Sequence, residues 1–266
     1  MKLHIAIDDT YGPAGKTDSK YVTGDRRTHV AVVFDDADVD DIRRQAKDSL
    51  AYMAELLPNA PAEFHFVDIY NRKPPWNDLP ERANLGVFAA FANIYSHYRW
   101  KVFLQTVDDH TFHGRPEILE IPFLDGLDVS KRADLSLLWL CIKIRIAFKD
   151  KKPPIKLLVD QGECTPGTSF GDQVFGDWGT KFSGQYSSST DEPLIQIADF
   201  MAYVINRSTY LATKNVRTEI DNWFLNLIGE MNINCDDLKR HEASEDFSVS
   251  DFDDWHKIDR VQKGLE

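Results

Sequence analysis

Cysteine is scarce in this chain: Cys141, Cys164 and Cys235 are the three in 266 residues. They share no metal-ligand spacing and cannot all pair within one chain, so a reducing compartment fits better than a disulfide scaffold. No apolar stretch approaches the roughly 20 residues of a membrane helix. No apolar run follows a basic start, so no signal peptide is expected and the default location is the cytoplasm. Positive charge is also short, with 31 Lys and Arg against 43 Asp and Glu, a formal net charge of −12. That argues against a general affinity for nucleic acid, which needs clustered cations to neutralise phosphates. Gly12-Pro13-Ala14-Gly15 lacks the lysine and serine of a phosphate-binding loop. No GxSxG elbow is present to carry a nucleophilic serine. Internal repeats and low-complexity tracts are absent as well.

What is present is an alternation of apolar runs. Hydrophobic residues make up 42% and charged residues 28%, which suits a globular chain able to bury a sizeable core. Leu3 to Ile7, His29 to Phe34, Trp100 to Val107 and Ile155 to Val159 read as strands. Glu63 to Tyr70 alternates and reads as a further short strand or extended segment. Helical spacing predicts helices over 38–57, 79–98, 130–148, about 192–206 and 217–231. Asp191-Glu192-Pro193 announces the fourth of these, and Ser130 is the expected N-cap of the third. Strands alternating with helices give an α/β layer fold. The early strands suit an antiparallel meander, the later ones a parallel extension, so a mixed sheet with helices on both faces is expected. Residues 1–231 are expected to form that α/β domain with an inserted helix and loops. Residues 232–266 read as an acidic tail or peripheral cap.

Two strands end in acids. Leu3 to Ile7 leads into Asp8-Asp9, and Ile155 to Val159 leads into Asp160. The carboxyl ends of strands are where ligands bind in open α/β sheets, and a buried carboxylate is costly unless paired. A common site holding a cation accounts for both. Asp199 lies on the helix near 192–206, between the small residues Ala198 and Ala202, so it can approach the strand ends closely. Glu63 and His65 project from one side of the extended segment, opposite Phe64 and Phe66. Asp9 and Asp108 are outer candidates. Local basic and aromatic residues, Tyr11, Lys16, Lys20, Arg26, Arg27, Arg72, Lys73 and Trp76, are the expected contacts for a substrate.

These motifs resemble those of the DUF-3800 family. Ile7-Asp8-Asp9-Thr10 is similar to its opening strand and acids, and Leu158-Val159-Asp160 to its later strand ending in Asp. Leu194 to Tyr203 (LIQIADFMAY) resembles its closing helix, and Glu63-Phe64-His65 occupies the place of its mid-chain polar motif. The resemblance spans roughly residues 3 to 206. It departs at Asp9-Thr10, where Glu-Ser is usual. It implies a ribonuclease H-like fold and a metal-dependent nuclease. Asp8, Asp160, Asp199 and Glu63 would then be ligands of Mg²⁺ or Mn²⁺, with His65 joining them in catalysis as a proton-transfer group. The expected partner is single-stranded nucleic acid or a nucleotide held by loop contacts, with no membrane. Two other readings stay open: a ribonuclease H-like interaction module without activity, and a hydrolase using a carboxylate pair without metal.

Overall fold

The computed structural model describes residues 1–12, 15–113, 122–238 and 247–264. Its strands are β1 (Leu3–Tyr11), β2 (Arg27–Asp35), β3 (Lys101–Val107), β4 (Phe123–Leu124), β5 (Leu127–Asp128), β6 (Ile155–Asp160) and β7 (Phe182–Ser187). The helices are α1 (Val39–Leu56), α2 (Phe66–Tyr70), α3 (Ala83–Tyr98), α4 (Asp109–His113), α5 (Arg132–Phe148), α6 (Pro193–Ala212), α7 (Glu219–Met231) and α8 (Val249–Gln262).

Five strands form one sheet in the order β3-β2-β1-β6-β7. β3, β2 and β1 pair antiparallel, while β1, β6 and β7 run parallel. This is the expected α/β mixed sheet of ribonuclease H-like type. Side chains alternate across it, as the period of a strand demands. Ala6, Val30, Val32, Phe34 and Leu158 face one core, shared with α1, α3, α6 and α7. Ile5, Ile7, Ala31, Val33, Leu157 and Val159 face a second core, closed by α5. Helices therefore cover both faces. No helix among the described residues is long and apolar enough to cross a membrane.

Several expected elements change. The segment expected to be a strand over 63–70 is extended only to His65, then turns into the short helix α2. Phe66 and Ile69, three apart, are its buried residues, so helical spacing wins over the alternation that precedes it. The fifth strand is β7 instead, and its polar sequence FSGQYS hides it. Pairing explains β7: Leu157 lies beside Gly184 and Val159 beside Tyr186, and residues 167–170 hydrogen-bond along its outer edge. Only glycine fits at 184, since a Cβ there would stand 2.1 Å from the Phe170 carbonyl oxygen. β1 runs on past its acids to Tyr11 because β2 pairs with it to Arg27. Ser130 is not the cap of α5; Lys131 occupies that position, and the Ser130 hydroxyl donates to Asp128 instead.

Candidate active site

Strand register decides where the first two acids point. β1 and β6 are parallel with Ile7 beside Val159. One residue further on, Asp8 and Asp160 stand on adjacent strands, roughly 4.8 Å apart in backbone spacing. Both share the parity of Ala6 and Leu158, which face the α6 core. The two carboxylates thus leave the same face of the sheet, at the carboxyl ends of parallel strands, toward α6.

Helix α6 supplies the third. Its N-cap is Glu192, whose side chain accepts from the Leu194 N–H and also holds Arg43. One turn in, Gln196 and Asp199 form a two-pronged clamp on the extended segment. Gln196 Oε1 accepts the Phe64 N–H at 3.1 Å, and its amide donates to the Ser189 carbonyl at 2.7 Å. Asp199 Oδ2 accepts the Phe66 N–H at 3.1 Å and lies 3.1 Å from His65 Nδ1. The acceptor is a carboxylate, so Nδ1 carries the hydrogen and Nε2 is left for other chemistry. The spacing of three residues on a helix puts both prongs on one face. The clamp fixes the backbone that presents Glu63 and His65.

Each of the three aspartates has one oxygen held by the backbone. Asp8 Oδ1 accepts the Asp9 N–H at 2.7 Å, and Asp160 Oδ2 accepts the Gly162 N–H at 3.0 Å. Gly162 has a φ of 48°, a left-handed turn suited to glycine. The second oxygen of each accepts no hydrogen bond among the described residues. Burial pushes the Asp8 carboxyl well above its ordinary value, and Asp199, Asp160 and Asp9 push it further, against the Asp9 N–H. Burial likewise raises Asp160; the Gly162 N–H opposes this, while Asp9, Glu63 and Asp199 add to it. Asp9 is raised by burial, with Arg27 opposing. His65 is raised chiefly by its hydrogen bond to Asp199. The five expected residues therefore interact at one end of the sheet. Among the described residues, however, no three His, Cys, Asp or Glu side chains close into a ready-made metal cage.

A scan of protein-family models and a search of curated proteins find no match to the chain. The arrangement of the acids therefore carries the functional argument.

Some expected contacts belong elsewhere. Asp108 is buried and accepts the Thr111 N–H at the start of α4, so it serves the turn after β3. Arg26 is 8% exposed and donates to Asn206. Trp76 is 2% exposed and stacks on Phe64 within the aromatic core. Arg72 donates to the carbonyls of Asn77, Leu79 and Pro80. Missed by sequence reasoning were Gln196 as a clamp and α8 as a packed helix. Asp253 of α8 accepts from Ser19 Oγ at 2.6 Å and from the Lys20 N–H at 3.0 Å. Its signal was legible in Ser248 and Asp251, a capping box at the required spacing.

The carboxylate crowd has a consequence for stability. Asp8 binds its proton more tightly folded than unfolded. Between the two pKa values the native state holds more protons, so stability falls as pH rises through that window. Asp8→Asn removes the charge while keeping an oxygen for the Asp9 N–H. Without divalent cations, this variant is expected to melt higher than wild type at pH 7–8. The expected gain is on the order of 1–2 kcal/mol, or roughly 2–6 °C, and shrinks toward pH 4. Thermal scans of both proteins across pH check it; an equal or lower midpoint at pH 8 would mean the acids do not strain the fold.

Proposed function

We propose that this chain is a metal-dependent phosphodiesterase that hydrolyses nucleic acid, in the manner implied by its resemblance to the DUF-3800 family. The observation that carries the reading is that Asp8 and Asp160 leave parallel strand ends toward α6, where the charge of Asp199 acts on both. Hard carboxylate oxygens are the donors that Mg²⁺ and Mn²⁺ prefer. Glu63 supports the fit: its Oε2 is buried with no hydrogen-bond partner among the described residues, and the group acts on Asp160. Asp8, Asp160, Asp199 and Glu63 would hold the ions. When bound, such ions supply the charge that stabilises a phosphoryl transition state and lower the pKa of an attacking water.

The chain's own residues do the rest. Backbone N–H groups hold one oxygen of each aspartate, which fixes the carboxylates and would leave the other oxygen of each for an ion. His65, half exposed and held through Nδ1 by Asp199, presents Nε2 for proton transfer to the leaving oxygen. The three unpaired thiols suit a cytoplasmic setting.

That no ligand cage closes among the described residues favours a second reading, a ribonuclease H-like interaction module without turnover. Incubating short single-stranded DNA and RNA with the protein, Mn²⁺ or Mg²⁺, and EDTA as control separates the two. Cleavage that EDTA stops, and that Asp8→Asn abolishes, supports the enzyme. No cleavage with either ion favours the module.

A further inference from the structure

Beyond the acids, the end of β1 and the start of β2 carry an arrangement that the proposed chemistry does not use. Tyr11, three residues beyond Asp8, is 71% exposed. Arg27 lies directly across the strand pair from it. The Arg27 guanidinium sits over the Tyr11 ring, 4.6 Å from its centre. Among the described residues the Arg27 guanidinium makes no hydrogen bond and no ion pair. Its charge instead reaches Asp9, one residue from Asp8. Lys73 lies near the same ring and pairs with Asp68 at 2.7 Å.

An exposed tyrosine ring offers a flat face on which another ring can stack. Arg27 covers one face and leaves the other open. A guanidinium stacked on a ring keeps its N–H edge free, and that fork matches phosphate geometry. Three residues of extended strand carry the chain roughly 10 Å beyond Asp8, and the odd spacing turns Tyr11 and its partner Arg27 to the face of Asp9 rather than that of Asp8. An aromatic ring and a cation with open donors therefore lie beyond Asp9 on the strand that carries the first acids.

We propose that Tyr11 and Arg27 form a nucleotide grip in which an unpaired base stacks on the open face of Tyr11 and Arg27 binds the adjoining phosphate. This rests on the phosphodiesterase reading and adds to it the substrate class, single-stranded nucleic acid. Stacking on Tyr11 needs a base free of its duplex neighbours, since a paired base has both faces occupied. The surrounding charge agrees: on a chain of net charge −12, a strand is held through few phosphates and needs a non-ionic contact.

Two measurements test the grip. The first is fluorescence anisotropy of a labelled single-stranded octanucleotide with full-length protein in Ca²⁺, comparing wild type, Tyr11→Ala, Tyr11→Phe and Arg27→Gln. Tyr11→Ala is expected to weaken binding about 5- to 100-fold, and Tyr11→Phe to restore most of it. Wild type and Tyr11→Ala should bind a fully abasic strand equally, whereas Arg27→Gln should weaken both strands. The second is cleavage of the same strand in Mn²⁺, where Tyr11→Ala should raise KM and leave kcat within a few-fold. Equal binding by wild type and Tyr11→Ala, or tighter binding of duplex than of single strand, overturns the grip. Cleavage indifferent to both residues overturns the grip and leaves the phosphodiesterase standing. Tyr11-dependent binding without cleavage keeps the grip and removes the enzyme.

Discussion

Asp8→Asn is expected to lower metal-dependent strand cleavage by on the order of 10³ or more, about 4 kcal/mol of transition-state stabilisation. The asparagine keeps the shape and the hydrogen bond from the Asp9 N–H. It loses the charge that a divalent cation needs. Asp160→Asn should fall by a similar factor, because parallel register places it beside Asp8 on the same face. The double variant should be scarcely worse than either single one, since groups that act as a unit lose their function together. Rates measured in Mn²⁺ under single-turnover conditions check this. Full multiplicativity of the two losses would mean that the aspartates do not share one centre. Combined with the expected rise in melting temperature for Asp8→Asn, the same substitution should stabilise the fold and silence it.

Phe66→Ala is the largest expected loss of stability. Phe66 is fully buried, with its ring 4.8 Å from Phe91, 5.0 Å from Phe200 and 5.3 Å from Phe88. Removing it leaves a cavity between α2, α3 and α6 and costs about 3–5 kcal/mol, a drop of roughly 10 °C for a chain of this size. The effect should reach the site. The Phe66 N–H is one of the two bonds that hold the Asp199 oxygen, so a loosened segment would present His65 less well. Phe66→Leu, which refills most of the space, should recover most of the stability. Thermal or denaturant unfolding of the three proteins decides it; a loss under about 1 kcal/mol for Phe66→Ala would contradict the packing described.

The acids of β1 and β6 were legible because strongly apolar runs make both strands and parity together unmistakable. Asp199 was legible through the helix spacing that puts it on the face of Gln196, flanked by small residues. The helices α1 and α6 carry clear apolar periodicity, α5 is apolar over most of its length, and all three fall within a few residues of their expected bounds, except that α6 extends to Ala212. Elements whose stability comes from partners were not legible. β7 is polar, and it is a strand because β6 and residues 167–170 pair with both its edges. Phe66 to Tyr70 continues an alternating segment, yet winds into a helix that buries Phe66 and Ile69. Arg26 and Trp76 look like surface groups in sequence; Asn206 and Phe64, both distant along the chain, bury them. Asp108 is settled locally instead: it accepts the Thr111 N–H three residues on, which makes it a turn residue.

Calorimetric titration of Mn²⁺ into the metal-free protein tests the central claim most directly. Burial and mutual repulsion raise the carboxyls of Asp8 and Asp160, so binding should displace protons and tighten as pH rises. The account predicts saturable binding to wild type, stronger at pH 8 than at pH 6, and lost in both Asp8→Asn and Asp160→Asn. Absence of saturable binding at either pH, or the same affinity in wild type and both variants, would contradict it.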